Sequence, residues 1–163
     1  MEEVNTSDWT LGRVFWFLTK QYIGYLTKRF ENTPVDRYYF PLYLIGKNSG
    51  KISQQQLADQ LLMDKVSLVR ILDILTQEGY VERKVNPKDR RQHLLYITST
   101  GKPWVEEIRK GLNETDDFFL NLLPANQREV FKEQVQVLIN AAKDVQVEQV
   151  ELFYNRVKDG TND

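Results

Sequence analysis

The stretch from Ser53 to Gly101 constrains this chain more than any other: SQQQLADQLLMDKVSLVRILDILTQEGYVERKVNPKDRRQHLLYITSTG. It spells two short helices meeting at a tight break, then a basic β-hairpin. Ser53 followed three residues later by Gln56 is a capping-box pattern, so a helix should start there with Leu57, Ala58 and Leu61 turned inward. A stop and restart falls at Leu62–Asp64. The Asp64 carboxylate can accept from the free amides of the next turn, and its charge suits the positive end of the helix dipole. Beyond Lys65, the spacing of Val69, Leu72 and Leu75 predicts the buried face of a second helix. Gly79 supplies the left-handed residue that ends it, with Tyr80 as its apolar cover.

The opposite face of that second helix, near its start, shows Lys65, Val66, Ser67, Leu68 and Arg70. Two cations, a hydroxyl and two apolar tips form a mix able to meet phosphates, base edges and thymine methyls. The hairpin follows, with strands expected at Tyr80–Val85 and Gln92–Ile97 around the turn signal Asn86-Pro87. Its tip, NPKDRR, holds Lys88, Arg90 and Arg91 with one acid, Asp89. An isolated acid would repel phosphate, so Asp89 is expected to orient an arginine through a forked salt bridge. From Lys65 to Arg91 there are seven cations (65, 70, 83, 84, 88, 90, 91) against four acids (73, 78, 82, 89). Seven minus four leaves +3, inside a chain whose formal net charge is −1.

With those residues in view, the segment from Leu57 to Gly101 resembles the winged helix-turn-helix of the MarR family of bacterial transcriptional regulators. The matching motifs are DKVSLVRILDIL for a recognition helix, GYVER leading into a wing, DRR at its tip, and ITSTG opening the next helix. The resemblance implies a mainly α fold with a small β-hairpin wing, the winged domain flanked by long dimerisation helices. It divides the chain into an N-terminal dimerisation helix (1–34), a winged DNA-binding domain (35–100) and C-terminal dimerisation helices (101–163). It implies a two-fold dimer on a pseudo-palindromic DNA operator, acting as a repressor released by a small aromatic ligand. The DNA-binding set it points to is Lys65, Ser67, Leu68, Arg70, Lys88, Asp89, Arg90 and Arg91. Of these, Arg91 pairs with Asp89 and enters the minor groove, and Leu68 alternatively packs inward beside Val69.

The flanks agree in helix order. Ser7–Phe30 should form a long helix capped by Ser7 or Asp8, with Leu11, Phe15, Leu18, Tyr22 and Tyr25 on one seam and Trp9, Val14, Trp16, Phe17, Ile23 and Leu26 widening it. A helix apolar on so much of its circumference needs two neighbours or a partner chain. Asn32-Thr33-Pro34 breaks it. A second helix should begin near Tyr38 or be kinked, since Pro41 forfeits a backbone bond anywhere beyond the first turn. After the wing, Thr98–Thr100 should cap a helix running to Leu123, with Trp104, Ile108, Leu112 and Phe119 inward and Pro103 favouring the later cap. Pro124 opens another, where Phe131, Val135, Leu138, Ala142 and Val145 make a packing seam. Helix is expected to continue to about Val157, carrying Val150, Leu152 and Phe153. Trp9, Trp16, Tyr38, Tyr39, Phe40 and Tyr43 are the aromatics placed to line an effector crevice, although core and dimer packing is the favoured role of each.

Other classes of function find little support. The chain has no cysteine and one histidine, so thiolate metal sites and disulfides are out, which fits a reducing cytoplasm. His93, in a wing strand, is expected at the surface or in packing. No cofactor or metal is expected. No nucleophile–base pair or glycine-rich phosphate loop points to an enzyme. No run approaches the eighteen or so apolar residues that span a bilayer, and no signal-like run follows the acidic start. The alternative to a DNA reader is a winged-helix protein-interaction module, against which the cation excess and the DRR tip both count.

Overall fold

Local capping chemistry sets the element boundaries at the centre of the chain. The computed structural model describes residues 5–145. Six α-helices and one hairpin follow in the order α1 (Leu11–Phe30), α2 (Tyr39–Lys47), α3 (Gln54–Leu61), α4 (Lys65–Gln77), β1 (Val81–Asn86), β2 (Asp89–Ile97), α5 (Lys102–Asn121) and α6 (Arg128–Ala142). A single 3-10 turn, Ala125–Gln127, precedes α6. Both halves of the capping box form: Gln56 N donates to Ser53 Oγ at 3.2 Å, and Ser53 N donates to Gln56 Oε1 at 2.9 Å. Leu62 adopts the left-handed conformation (φ 50°) that stops α3. Asp64 caps α4 by accepting from Ser67 N at 2.9 Å. At the far end of α4, Tyr80 N reaches Leu75 O and Gly79 N reaches Thr76 O, the paired bonds of a Schellman motif with Gly79 at φ 73°.

The hydrophobic core gathers residues of α1 through α5 and the hairpin, with α2 packed against α3, α5 and β2 and α4 against α3 and β1. Phe30, Leu42, Ile45, Leu57, Leu72, Leu75, Leu95 and Ile108 are almost wholly withdrawn from solvent. Each such side chain contributes about 1.5–3 kcal/mol of burial. The antiparallel hairpin pairs Val81 with Ile97 and Val85 with His93. A third, very short partner adds to it: Ser53 bridges Leu94, and Leu95 N donates to Ile52 O at 3.0 Å. The chain entering α3 is thereby fastened to the wing. Gly111 lies where α5 presses on α1, since a Cβ there would stand 2.7 Å from Phe30 Cζ.

Several expectations shift. Helix α1 starts at Leu11 under Thr10, not at Ser7 or Asp8. Thr10 belongs to the same capping class, and it sits directly before the residue where the apolar seam begins. Helix α2 begins at Tyr39, which puts Pro41 in its first turn, where no backbone bond is lost. Helix α5 begins after Gly101, and Thr98 serves the junction differently: its hydroxyl donates to Gly79 O at 2.6 Å and accepts from Gly101 N at 3.0 Å. Of the four residues expected to mark its inner side only Ile108 is fully buried, with Gly111 and Thr115 beside it, while Trp104, Leu112 and Phe119 are half-buried.

The outer helices differ from this core. On α1 only Leu26 and Phe30 are buried, whereas Leu11, Phe15, Trp16, Leu18 and Tyr25 are exposed. Tyr25 stacks on Phe118 of α5 at 4.3 Å, and the Tyr22 hydroxyl donates to Asp116 at 2.6 Å. Burial, reinforced by that carboxylate, pushes the Tyr22 phenol well above its ordinary pKa. No residue of α6 is buried. The expected continuation of helix to Val157 falls in 146–163, outside the described residues. Among the described residues no helix is long and apolar enough to cross a membrane.

Candidate nucleic-acid interface

The start of α4 shows which side chains its capping leaves free. Lys65, Val66 and Arg70 are exposed, Val66 at 63%. Neither Lys65 nor Arg70 forms an ion pair among the described residues. Ser67 is half-buried, and its hydroxyl and backbone N–H both serve the cap. Those hydrogen bonds hold the Asp64 carboxyl below the usual carboxylate range. Ser67 therefore offers a neighbour its hydroxyl lone pairs rather than its proton.

Leu68 does not belong to this surface. It is 1% exposed and packs in the core with Leu72 and Leu75, while Val69 is only half-buried. Helical geometry decides between the two seams. At about 100° per residue, positions 68, 72 and 75 stay within about 60° of one another, whereas 69, 72 and 75 drift across about 120°. The expected DNA-binding role of Leu68 is withdrawn on that ground.

The wing divides its cations into two groups. Near the root, Arg83 Nη2 meets Asp73 Oδ1 of α4 at 2.6 Å, and Lys84 Nζ meets Glu82 at 2.9 Å. Lys84 also stands over the Tyr96 ring at 4.9 Å, and its hydrogen bond to Glu82 raises its pKa. These two cations tie the wing to itself and to α4, a role that counting charges could not reveal. The acid at 73 lies ten residues before its partner, a spacing with no local signature.

The tip is tighter than expected. The turn itself is only Pro87-Lys88, and β2 already begins at Asp89. Lys88 N donates to Asn86 Oδ1 at 3.0 Å, an Asx-type turn. The register then slips: Asn86 pairs with Asp89 but Val85 pairs with His93. Arg90, Arg91 and Gln92 have no opposite number on β1, so they form a bulge that pushes their side chains out of the ladder. Arg90 is exposed and forms no ion pair among the described residues, as is true of Lys88. The Arg91 side chain is 92% exposed.

Asp89 works as an orienting acid, in a geometry other than the expected fork. Its Oδ1 accepts both Arg91 N at 3.1 Å and Arg91 Nε at 3.3 Å, leaving the two terminal guanidinium nitrogens free. Its Oδ2 accepts Gln92 Nε2 at 3.0 Å. Gln92 is thus a member of the tip that sequence reasoning missed; its position just after DRR was the only available hint. His93 is exposed. Among the described residues no group of acids and histidine could hold a metal ion.

Comparison with known proteins agrees with this arrangement. The sequence pattern of the MarR family matches residues 41–92. The chain is 33% identical over 90 residues to the HTH-type transcriptional regulator BilQ of Clostridium symbiosum, covering 55% of this chain and 61% of that protein. It spans 48% of a second curated relative, so the likeness to these proteins extends over only about half to three-fifths of their length. In fold, a MarR transcriptional regulator from Methanosarcina mazei Go1 superposes with a TM-score of 0.72 over 83% of this chain and 98% of that one, at 24% identity. The transcriptional repressor CouR, solved on a 23-mer DNA duplex, superposes with a TM-score of 0.66 over 84% and 99%, at 22% identity. Residues 41–92 thus carry the sequence pattern of the MarR family, within a fold similar to that of solved MarR winged-helix regulators.

Proposed function

We propose that this chain is a dimeric, sequence-specific DNA-binding repressor that a small aromatic ligand releases. One observation carries the reading: root cations Arg83 and Lys84 are paired with acids, while Arg90 and Arg91 are bulged outward at the tip. A wing built for protein contact would gain nothing from that sorting, whereas phosphate and the minor groove reward it. The DNA-bound repressor CouR, similar in fold, supports the same reading.

In this reading Lys65 and Arg70 meet phosphates or base edges in the major groove, and Ser67 accepts from a base amino group there. Lys88 and Arg90 meet phosphate, and Arg91, oriented by Asp89, enters the minor groove. Residues 35–100 form the DNA-binding domain, and 1–34 with 101–163 form the dimer. The exposed seams of α1 and α6 supply apolar surface for that assembly. Two-fold symmetry then sets the recognition helices about 34–36 Å apart, on a pseudo-palindromic site. A ligand releases the protein by favouring a different separation. Of the aromatics expected near an effector crevice, Trp16 and Phe40 are exposed.

Salt dependence tests the interface. Each phosphate contact contributes about −0.9 to the log–log slope of affinity against salt, so four per protomer in a dimer give roughly −7. Arg91→Ala should weaken binding by about 1–3 kcal/mol while leaving thermal stability unchanged. A flat salt response or an unaltered affinity of that variant would overturn the reading.

A further inference from the structure

We infer that Gln92 is a specificity-determining residue that reads guanine through the minor groove. The inference rests on the DNA-binding reading above and deepens it by naming a base. Gln92 lies in the same unpaired bulge as Arg90 and Arg91, and its side chain is fixed by Asp89 Oδ2 at 3.0 Å. An ionised carboxylate only accepts, so the amide must turn its nitrogen, not its oxygen, to Asp89. That leaves Oε1 and the second N–H free of other partners among the described residues.

This matters because the other outward side chains of the tip offer only donors, the Asp89 carboxylate being engaged by Arg91 and Gln92. Lys88, Arg90 and Arg91 carry no side-chain acceptor. Such donors suit A·T and T·A pairs, whose minor-groove edges show acceptors only. Guanine adds an N2 amino donor there, beside its N3 acceptor. A head made of cations alone meets that amino group with nothing to receive it. The Gln92 amide supplies an acceptor and a donor side by side, the complement of the guanine edge. Both Arg91 and Gln92 hang from one carboxylate, so they enter the groove together and the guanine lies next to the base pairs that Arg91 contacts. The tip should therefore select a G·C pair at one defined step beyond each half-site.

The test begins with duplexes selected by the purified protein from a randomised pool. Replacing guanine at the flanking step by inosine removes only the N2 amino group and leaves the major-groove edge intact. Wild-type affinity should fall about tenfold per half-site. Gln92→Ala should still bind the duplex but lose its sensitivity to inosine. Placing 2,6-diaminopurine opposite thymine at that step restores a minor-groove amino group and should restore wild-type affinity. If inosine leaves wild-type binding unchanged, or acts equally on Gln92→Ala, the inference is overturned even though the salt slope and the Arg91→Ala defect persist. If the protein selects no duplex at all, the DNA-binding reading itself falls, and the inference with it.

Discussion

The α3–α4 pair and helix α6 carry comparable apolar patterns, yet they use them in opposite ways. Leu57, Leu68, Leu72 and Leu75 all find partners inside their own chain and are almost fully buried. On α6, Phe131, Val135, Leu138 and Ile139 repeat with similar regularity and every one remains exposed. The contrast shows that periodicity announces a contact surface without saying which molecule fills it. In the first region the covering elements lie within a few dozen residues. In the second, among the described residues, only the short turn before α6 packs against it to any extent.

That contrast can be broken most sharply at Leu138. Leu138→Asp would place a carboxylate in the proposed dimer seam, at a cost of about 3–5 kcal/mol in association. Sedimentation should then report monomer, operator affinity should fall in parallel, and the unfolding of the monomer should be unaffected. A dimer that survives would mean that α6 meets no partner through this face. A core substitution should do the reverse. Leu68→Ala should cost about 2–5 kcal/mol in a urea midpoint experiment. Val66→Ala, two residues away but exposed, should change stability by less than about 0.5 kcal/mol. Equal effects would contradict the assignment of Leu68 to the core.

Smaller effects sharpen the picture at the helix starts. Ser53→Ala removes the acceptor for Gln56 N and should lower stability by about 1 kcal/mol. Asp64 should add a weaker, pH-dependent contribution to α4. Its folded pKa is depressed, so the contribution is complete above the ordinary carboxylate value of 3.8 and is lost as pH falls through the folded one. Asp64→Asn should flatten that part of the stability–pH profile between pH 5 and pH 2, measured by circular dichroism. A profile identical to wild type would remove Asp64 from the cap.

Signals confined to one turn of helix were legible in the sequence: the Ser53–Gln56 box, the Asp64 cap and the Gly79 stop all depend on atoms within a few residues of each other. The order of the helices and the wing were legible for the same reason. Features that depend on tertiary angle were not. The choice between Leu68 and Val69 required the rotation of α4 against α3, and the Ser53–Leu94 bridge has no period to detect. At the candidate interface, the basic residues were readable as a cluster. Their sorting into paired root and outward tip was not, because Asp73 meets Arg83 only once α4 and β1 have packed. Nor was the bulge, because Asn86-Pro87 marks a turn without fixing the register beyond it.

The Thr98 hydroxyl has a mechanical consequence. It grips the Gly79 carbonyl just after α4 and the Gly101 amide just before α5, so those two ends share a joint. A tug on α5 that swings its first turn must either drag the last turn of α4 along or tear that joint open. The end of α4 and the start of α5 are buckled together at one residue.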